Sequence, residues 1–288
     1  MTRSLHVALR SALLLVALSL VLLPWYIRLP KRAEASSATP RFYWTPVETG
    51  FSMARYELGQ GIKLIKSEVL LLKFSPKYFI FQALSARDYG QHRTDVRTLT
   101  KKVGGVSGIN AHFFDDKGDP LGLLVAGGER KQGMHNGGRL LTGVFYIYKN
   151  KPFIVHRSSF ERQQAETAVQ SGPRLLADGK PLKLSNVDAS SRRSGIAITK
   201  SGEVILFATM LRFPGASFAQ IQEMLMDPAL EVTDALNFDG GGSSQLFVEK
   251  NLRLADETFI SGGDAVPVGL IVSRKTREKR AGQTTPSR

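Results

Sequence analysis

The residues best suited to chemistry lie together in Asn237-Phe238-Asp239-Gly240-Gly241-Gly242-Ser243-Ser244, which sets one carboxylate, three consecutive glycines and two hydroxyls between strand-forming runs. Val232-Thr233-Asp234-Ala235-Leu236 before it and Gln245-Leu246-Phe247-Val248 after it favour extended backbone, so the glycines form a tight connection between strands. Without Cβ atoms, Gly240, Gly241 and Gly242 can take positive φ and point successive N–H groups into one anion-binding concavity. Asp239 then stands beside a pocket suited to phosphate. The octapeptide alone also fits a glycine-rich hairpin that binds nothing. It is not a Walker loop, because no Lys follows the glycines and strand rather than helix comes next.

Three further segments bring polar groups to strand ends. Asn110-Ala111-His112-Phe113-Phe114-Asp115-Asp116 follows an apolar run and offers an amide for sugar hydroxyls, an imidazole for proton transfer and Asp115 as a second carboxylate. The plainer alternative makes Asp116-Lys117-Gly118 a surface turn and His112 a packed histidine. Val169-Gln170-Ser171-Gly172-Pro173-Arg174 is a polar interruption at another strand end. Ser190-Ser191-Arg192-Arg193-Ser194 brings guanidinium groups to the start of a strand, where a planar fork suits phosphate, although single arginines are most often surface charges.

The elements that must position these groups are mostly short strands. Apolar runs at 62–74, 78–84, 103–109, 121–126, 144–148, 153–155, 195–199, 204–209 and 234–238 are each bounded by Gly, Pro, Asn or Asp. Helices are expected at 95–102 and 218–226, the second with Ser217 as N-cap, Pro228 as its stop, and Phe218, Ile221 and Leu225 on its core face. The chain therefore reads as one α+β domain over 51–273, with mixed, strand-rich sheets, few helices and glycine-rich active-site loops. The polar stretches 127–139 and 184–193 exceed ordinary connections and form candidate rims of the site.

The 288 residues carry no cysteine, which excludes disulfides and thiolate metal sites. Arg3 and Arg10 precede an apolar run over 11–23 that Pro24-Trp25-Tyr26-Ile27 extends, so 1–32 is a secretory signal or a single membrane anchor. The distance from Leu23 to the Ala33-Glu34-Ala35 cleavage motif favours the retained anchor. Either way the remainder is exported, to the cell envelope as a periplasmic or extracytoplasmic domain, secreted or anchored, with 33–50 as a linker. Net charge is +14, but 1–32 and 274–288 hold +5 each, leaving +4 for the body. The end 274–288 thus reads as a basic disordered tail, either touching lipid headgroups or an anionic polymer or solvated with no partner, and a nucleic-acid partner is not expected.

In this order, the segments resemble the phosphodiester glycosidase domain family over most of residues 100–273. Asn110 to Phe114 is similar to the family's Asn-Gly-Gly-Tyr/Phe-Phe, Ser171-Gly172-Pro173-Arg174 to its Gly-x-Pro-x, and Arg193 to Ile198 to its Arg-Thr-Ala-Ile-Gly strand. Asn237 to Ser244 is similar to its Asn-Leu-Asp-Gly-Gly-Gly-Ser-Ser, and Ala265-Val266-Pro267-Val268 to its final strand. The chain departs from the pattern at Ala111 and His112, where the family has two glycines, at Ala197, which replaces a glycine, and at Phe238, which replaces an aliphatic residue.

The resemblance implies hydrolysis of a sugar-1-phosphodiester that leaves a phosphomonoester. Glycosidases pair two carboxylates at the anomeric carbon, and here the departing phosphate ester is already a stable anion that needs cations and N–H donors more than a proton. Asp239 would act at the anomeric carbon or its attacking water, with Asp115 as the second carboxylate. Arg193 and the amides of Gly240, Gly241 and Gly242 would hold phosphate, Asn110 with Ser243 and Ser244 would orient the sugar, and His112, Ser171, Gly172 and Arg174 would be further substrate-binding residues. No cofactor is expected, and a divalent cation at Asp239 is chemically allowed although no ligand spacing calls for a metal. The rival reading is an envelope protein that binds phosphorylated or anionic glycans without turnover.

Overall fold

The computed structural model describes residues 42–59, 67–161, 165–210, 215–250, 253–254 and 256–276. The apolar segment 11–27, the cleavage motif and residues 277–288 lie outside them, and among the described residues no helix is long and apolar enough to cross a membrane.

Strands with apolar side chains on both faces must be covered on both sides, and the largest sheet is built that way. Its eight strands run in the order β1 (Thr45–Glu48), β2 (Phe51–Leu58), β3 (Ser67–Phe74), β14 (Val204–Thr209), β13 (Ser194–Thr199), β15 (Val232–Asn237), β11 (Arg174–Ala177) and β12 (Lys180–Pro181). Along β14, Val204, Leu206 and Ala208 enter one core while Ile205 and Phe207 enter another, and β3 divides Leu70 and Leu72 from Val69 and Leu71 in the same way. Each such Leu or Phe, taken wholly out of water, favours the fold by about 1.5–3 kcal/mol.

One face of this sheet packs on a five-stranded sheet ordered β17 (Thr258–Ser261), β16 (Gln245–Val248), β5 (Ser107–Asn110), β18 (Val268–Arg274) and β4 (Phe79–Ser85), through Ile109, Leu246, Leu270 and Val272. The outer face of that second sheet is covered by helix α1 (Val96–Lys102). Val96 and Leu99 of the helix meet Phe247, Val266 and Ile271, and Asp95 caps it by accepting from Thr98 N at 2.7 Å. Helix α2 (Phe218–Leu225) covers the other face of the large sheet with Ile221, Met224 and Leu225. Ser217 and Gln220 close a capping box at its start, each side chain accepting from the other's backbone N–H at 3.2 and 2.9 Å. A third sheet, β7 (Glu129–Gln132), β6 (Leu124–Ala126), β10 (Thr167–Ser171), β8 (Gly143–Tyr148) and β9 (Lys151–His156), joins the central core through Leu124, Phe145 and Val169.

The α+β class stands, but the expected mixed sheets do not: every pairing between named strands of the described residues is antiparallel. Uninterrupted apolar strands are the usual mark of parallel sheets buried on both sides. Here the same burial comes from stacking a helix and a second sheet on antiparallel strands. Two boundaries also differ. β1 lies inside the expected linker 33–50, and Arg274, assigned to the basic tail, ends β18 and makes a two-point contact with Glu48 at 2.8 Å.

Candidate active site

The candidate site sits where the chain leaves β15 of the large sheet and enters β16 of the second. Asn110, wholly buried at the end of β5, donates from Nδ2 to the backbone carbonyl of Asp239 at 2.7 Å. Its Oδ1 accepts from Gln245 N on β16 and from the Ser194 hydroxyl on β13, both at 2.9 Å. The single Ser194 hydroxyl proton is shared with the Asp239 carbonyl at 3.1 Å. One amide thus ties both sheets to the main chain of one aspartate. Asn237, two residues earlier, donates from Nδ2 to Gly172 O at 2.9 Å and from its backbone to Pro173 O at 3.0 Å, which brings the Ser171-to-Arg174 segment alongside. The Gly172–Pro173 peptide is cis.

The Asp239 carboxyl is partly buried, and its pKa is pushed up to about 6. Burial is the main cause, the charge of Asp264 adds to it, and hydrogen bonds from the Ser243 hydroxyl and the Gly240 N–H act against it. Residues 241–243 form a single 3-10 turn. Gly241 takes φ +60°, and a Cβ on Gly242 would lie 2.0 Å from the Asp264 carboxylate, so the last glycine is what admits that second acid beside the loop. Asp264 is held in turn by its backbone N–H, which donates to Gly242 O at 3.0 Å.

Two expectations are corrected here. The second carboxylate felt by Asp239 is Asp264, not Asp115, whose Oδ1 instead accepts from Lys117 N at 2.9 Å and Asp119 N at 2.8 Å and closes its own turn. The expected three-amide nest is also reduced, because Gly240 N–H serves the Asp239 carboxylate and Gly241 N–H donates to Arg192 O at 3.0 Å. Asp264 is the residue that sequence reasoning misses. Its only signal is a second glycine pair ahead of an acid, Gly262-Gly263-Asp264.

Cationic groups do flank the loop. Arg193 donates from Nε to Ala216 O at 3.1 Å and from one terminal nitrogen to Ala189 O at 2.7 Å, and its guanidinium lies 3.8 Å from the centre of the Phe218 ring. The other terminal nitrogen stands 3.8 Å from where a Cβ on Gly240 would be. Burial lowers the Arg193 pKa. Arg192, just before β13, donates to Ser261 O and so links that segment to the end of β17, just ahead of Asp264.

The remaining candidates serve the frame more than a ligand. Asn110 spends its amide on main chain and Ser194, so it positions Asp239 and does not reach for a sugar. His112 is wholly buried, its Nε2–H donates to Leu123 O at 2.9 Å, and burial lowers its pKa to about 4, which leaves a neutral ring unsuited to proton transfer with solvent. Ser171 and Ser244 are also wholly buried, and their hydroxyls lack a hydrogen-bond partner among the described residues. Ser243 alone of the serines meets the Asp239 carboxylate. Gly172 is required by close approach, since a Cβ there would fall 1.9 Å from Leu140 O. Arg174 pairs with Asp234 at 3.5 Å. Among the described residues no three of His, Asp and Glu stand together as a metal-binding group.

The family model for phosphodiester glycosidase matches residues 104–273, from just before β5 to the penultimate residue of β18. The fold is similar to that of the zebrafish N-acetylglucosamine-1-phosphodiester alpha-N-acetylglucosaminidase catalytic domain, auto-inhibited by its pro-peptide, with a TM-score of 0.61 and 16% identity over 80% of this chain and 86% of that one. It is also similar to a hypothetical protein from Synechocystis, with a TM-score of 0.57 and 15% identity over 83% of this chain and 64% of that one. At such identities the likeness is one of fold. No curated protein matches the chain.

Proposed function

Since this chain belongs to the phosphodiester glycosidase family, we propose that it hydrolyses a sugar-1-phosphodiester, releasing the sugar and leaving a phosphomonoester. The observation that carries the reading is the Asp239 carboxyl, raised to about 6 and oriented by Ser243 and Gly240. Above that pH it is a carboxylate of raised basicity held in one geometry, suited to activating a water at the anomeric carbon. The water oxygen bonds to the anomeric carbon and its proton passes to Asp239. The bond to the phosphate oxygen breaks, and its electron pair leaves with the phosphomonoester, which needs no acid to depart. The unpartnered end of Arg193 offers a cation for that phosphate, and Asp264 offers a negative charge to stabilise the oxocarbenium-like sugar. An envelope location is part of the proposal and is supported by the apolar segment 11–27.

The test is hydrolysis of a panel of sugar-1-phosphodiesters by the full chain, with free sugar and phosphomonoester measured together. Turnover by the unaltered chain and its loss in a folded Asp239→Asn variant are expected. Full turnover in that variant would refute the assignment.

A further inference from the structure

A cavity of about 870 Å³ adjoins the candidate site through two residues. One is Phe218, whose ring carries the Arg193 guanidinium on its face, and the other is Pro173, whose carbonyl accepts from Asn237. Its walls come largely from 138–142 and 182–186, which overlap the two polar stretches too long for ordinary connections.

Every charged group of the lining is cationic: Arg139, Arg157, Arg174 and Lys183. Arg174 is balanced by Asp234 at 3.5 Å. Arg157 donates to the carbonyls of Gly137, Leu141 and Gly138 at 2.6, 3.1 and 2.8 Å and thereby fixes the stretch that carries Arg139. Arg139 and Lys183 are exposed and pair with no acid among the described residues. His156 lines the same space. Its Nδ1 is held by Ser158, with the hydroxyl at 2.7 Å and the backbone N–H at 3.2 Å. Burial lowers its pKa, and the charges of Arg157 and Arg174 lower it further. Leu140, Leu184 and Phe218 supply apolar surface between these donors. A site with cations, N–H donors and apolar floor, and no acidic lining group, favours anionic ligands and disfavours cationic ones.

Resting on the glycosidase reading above, we propose that this cavity receives the part of the substrate beyond the scissile phosphate, and that this part carries a further phosphate. The preferred substrate is then a phosphate-bearing chain capped by a sugar, not an isolated sugar-1-phosphodiester with a neutral aglycone.

Binding of a linear glycerol phosphate trimer and of glycerol 1-phosphate to the full chain, by calorimetry at fixed salt, tests the assignment. The trimer is expected to bind more tightly than the monophosphate. It should weaken about fivefold in an Arg139→Gln/Lys183→Gln double variant, from the loss of two exposed charge contacts. Affinity should return in Arg139→Lys/Lys183→Arg. Equal affinity for the two probes, or trimer binding untouched by the double variant, overturns the proposal and assigns any binding to the basic residues beyond 276, which every variant retains. Hydrolysis is scored separately. Charge-selective trimer binding without cleavage of any sugar-1-phosphodiester refutes the glycosidase reading and upholds the cavity, whereas cleavage with charge-blind binding does the reverse.

Discussion

Asn110 donates from Nδ2 to the main-chain carbonyl of Asp239 at 2.7 Å, so a side chain from one sheet fixes the backbone of the acid that the other sheet delivers. Replacing it by Ala leaves Gln245 N without its acceptor in a buried place, while the Asp239 carbonyl keeps the Ser194 hydroxyl. A buried group left unpaired costs about 1–3 kcal/mol, so Asn110→Ala should lose about 2 kcal/mol in denaturant unfolding. Because Asn110 positions and does not bind, the catalytic defect should fall on kcat with KM little changed, as steady-state kinetics will register.

If Asp239 is the base of the proposed hydrolysis, the rate depends on pH near neutrality. With its pKa at about 6, kcat/KM should rise as pH passes that value and then level off. Asp264→Asn removes a like charge, so the midpoint should move down. Asp239→Asn should lose about three orders of magnitude in kcat, the scale expected of a removed acid–base group.

The partly buried Asp239 and the wholly buried His112 pull stability in opposite directions as pH changes. Asp239, raised from 3.8 to about 6, contributes stability that is complete below pH 3.8 and lost as pH climbs through 6. His112, lowered from 6.5 to about 4, contributes stability that is complete above pH 6.5 and lost as pH drops through 4. Allowing for the partial exposure of Asp239, its share is about 2 kcal/mol and that of His112 about 3 kcal/mol. Melting temperatures of the unaltered chain should therefore vary weakly between pH 4 and 6.5. In Asp239→Asn the compensation disappears, and the melting temperature should climb clearly over that interval.

Gly242→Ala separates the site from the scaffold. The new Cβ would meet the Asp264 carboxylate at 2.0 Å, and an exposed side chain can swing away at little cost to the fold. Activity should drop by at least tenfold, while the melting temperature stays within about 2 °C of the parent. Gly241→Ala instead strains a residue at φ +60° and should cost about 1 kcal/mol of stability. An unchanged rate in Gly242→Ala would count against any role for Asp264.

Much of the fold is legible where burial dictates residue type. β14 appears in the sequence over its full length because Val204 to Ala208 are apolar on both faces. Helix α2 is equally plain, since Ser217, the spacing of Ile221 and Leu225, and Pro228 each mark it. β7 is illegible. Glu129-Arg130-Lys131-Gln132 is exposed throughout and is a strand only because its backbone pairs with β6. Within the site, Asp239 and its glycines are readable from composition, but the partner acid is not. Asp115 is near Asn110 in sequence, yet its turn is self-contained. Asp264 lies far along the chain, and only the register of β16 with β17 and the loop that follows return it to Gly242.

The loop carrying Asp239 also works as a mechanical joint. It spans from the eight-stranded sheet to its neighbour, and Asn110 and Ser194 clamp it from both sides. A drift of one sheet against the other would strain the bonds of Asn110 and Ser194 to the Asp239 carbonyl. Catalysis should thus act as a gauge of sheet docking, fading at denaturant concentrations where circular dichroism still reports an intact fold.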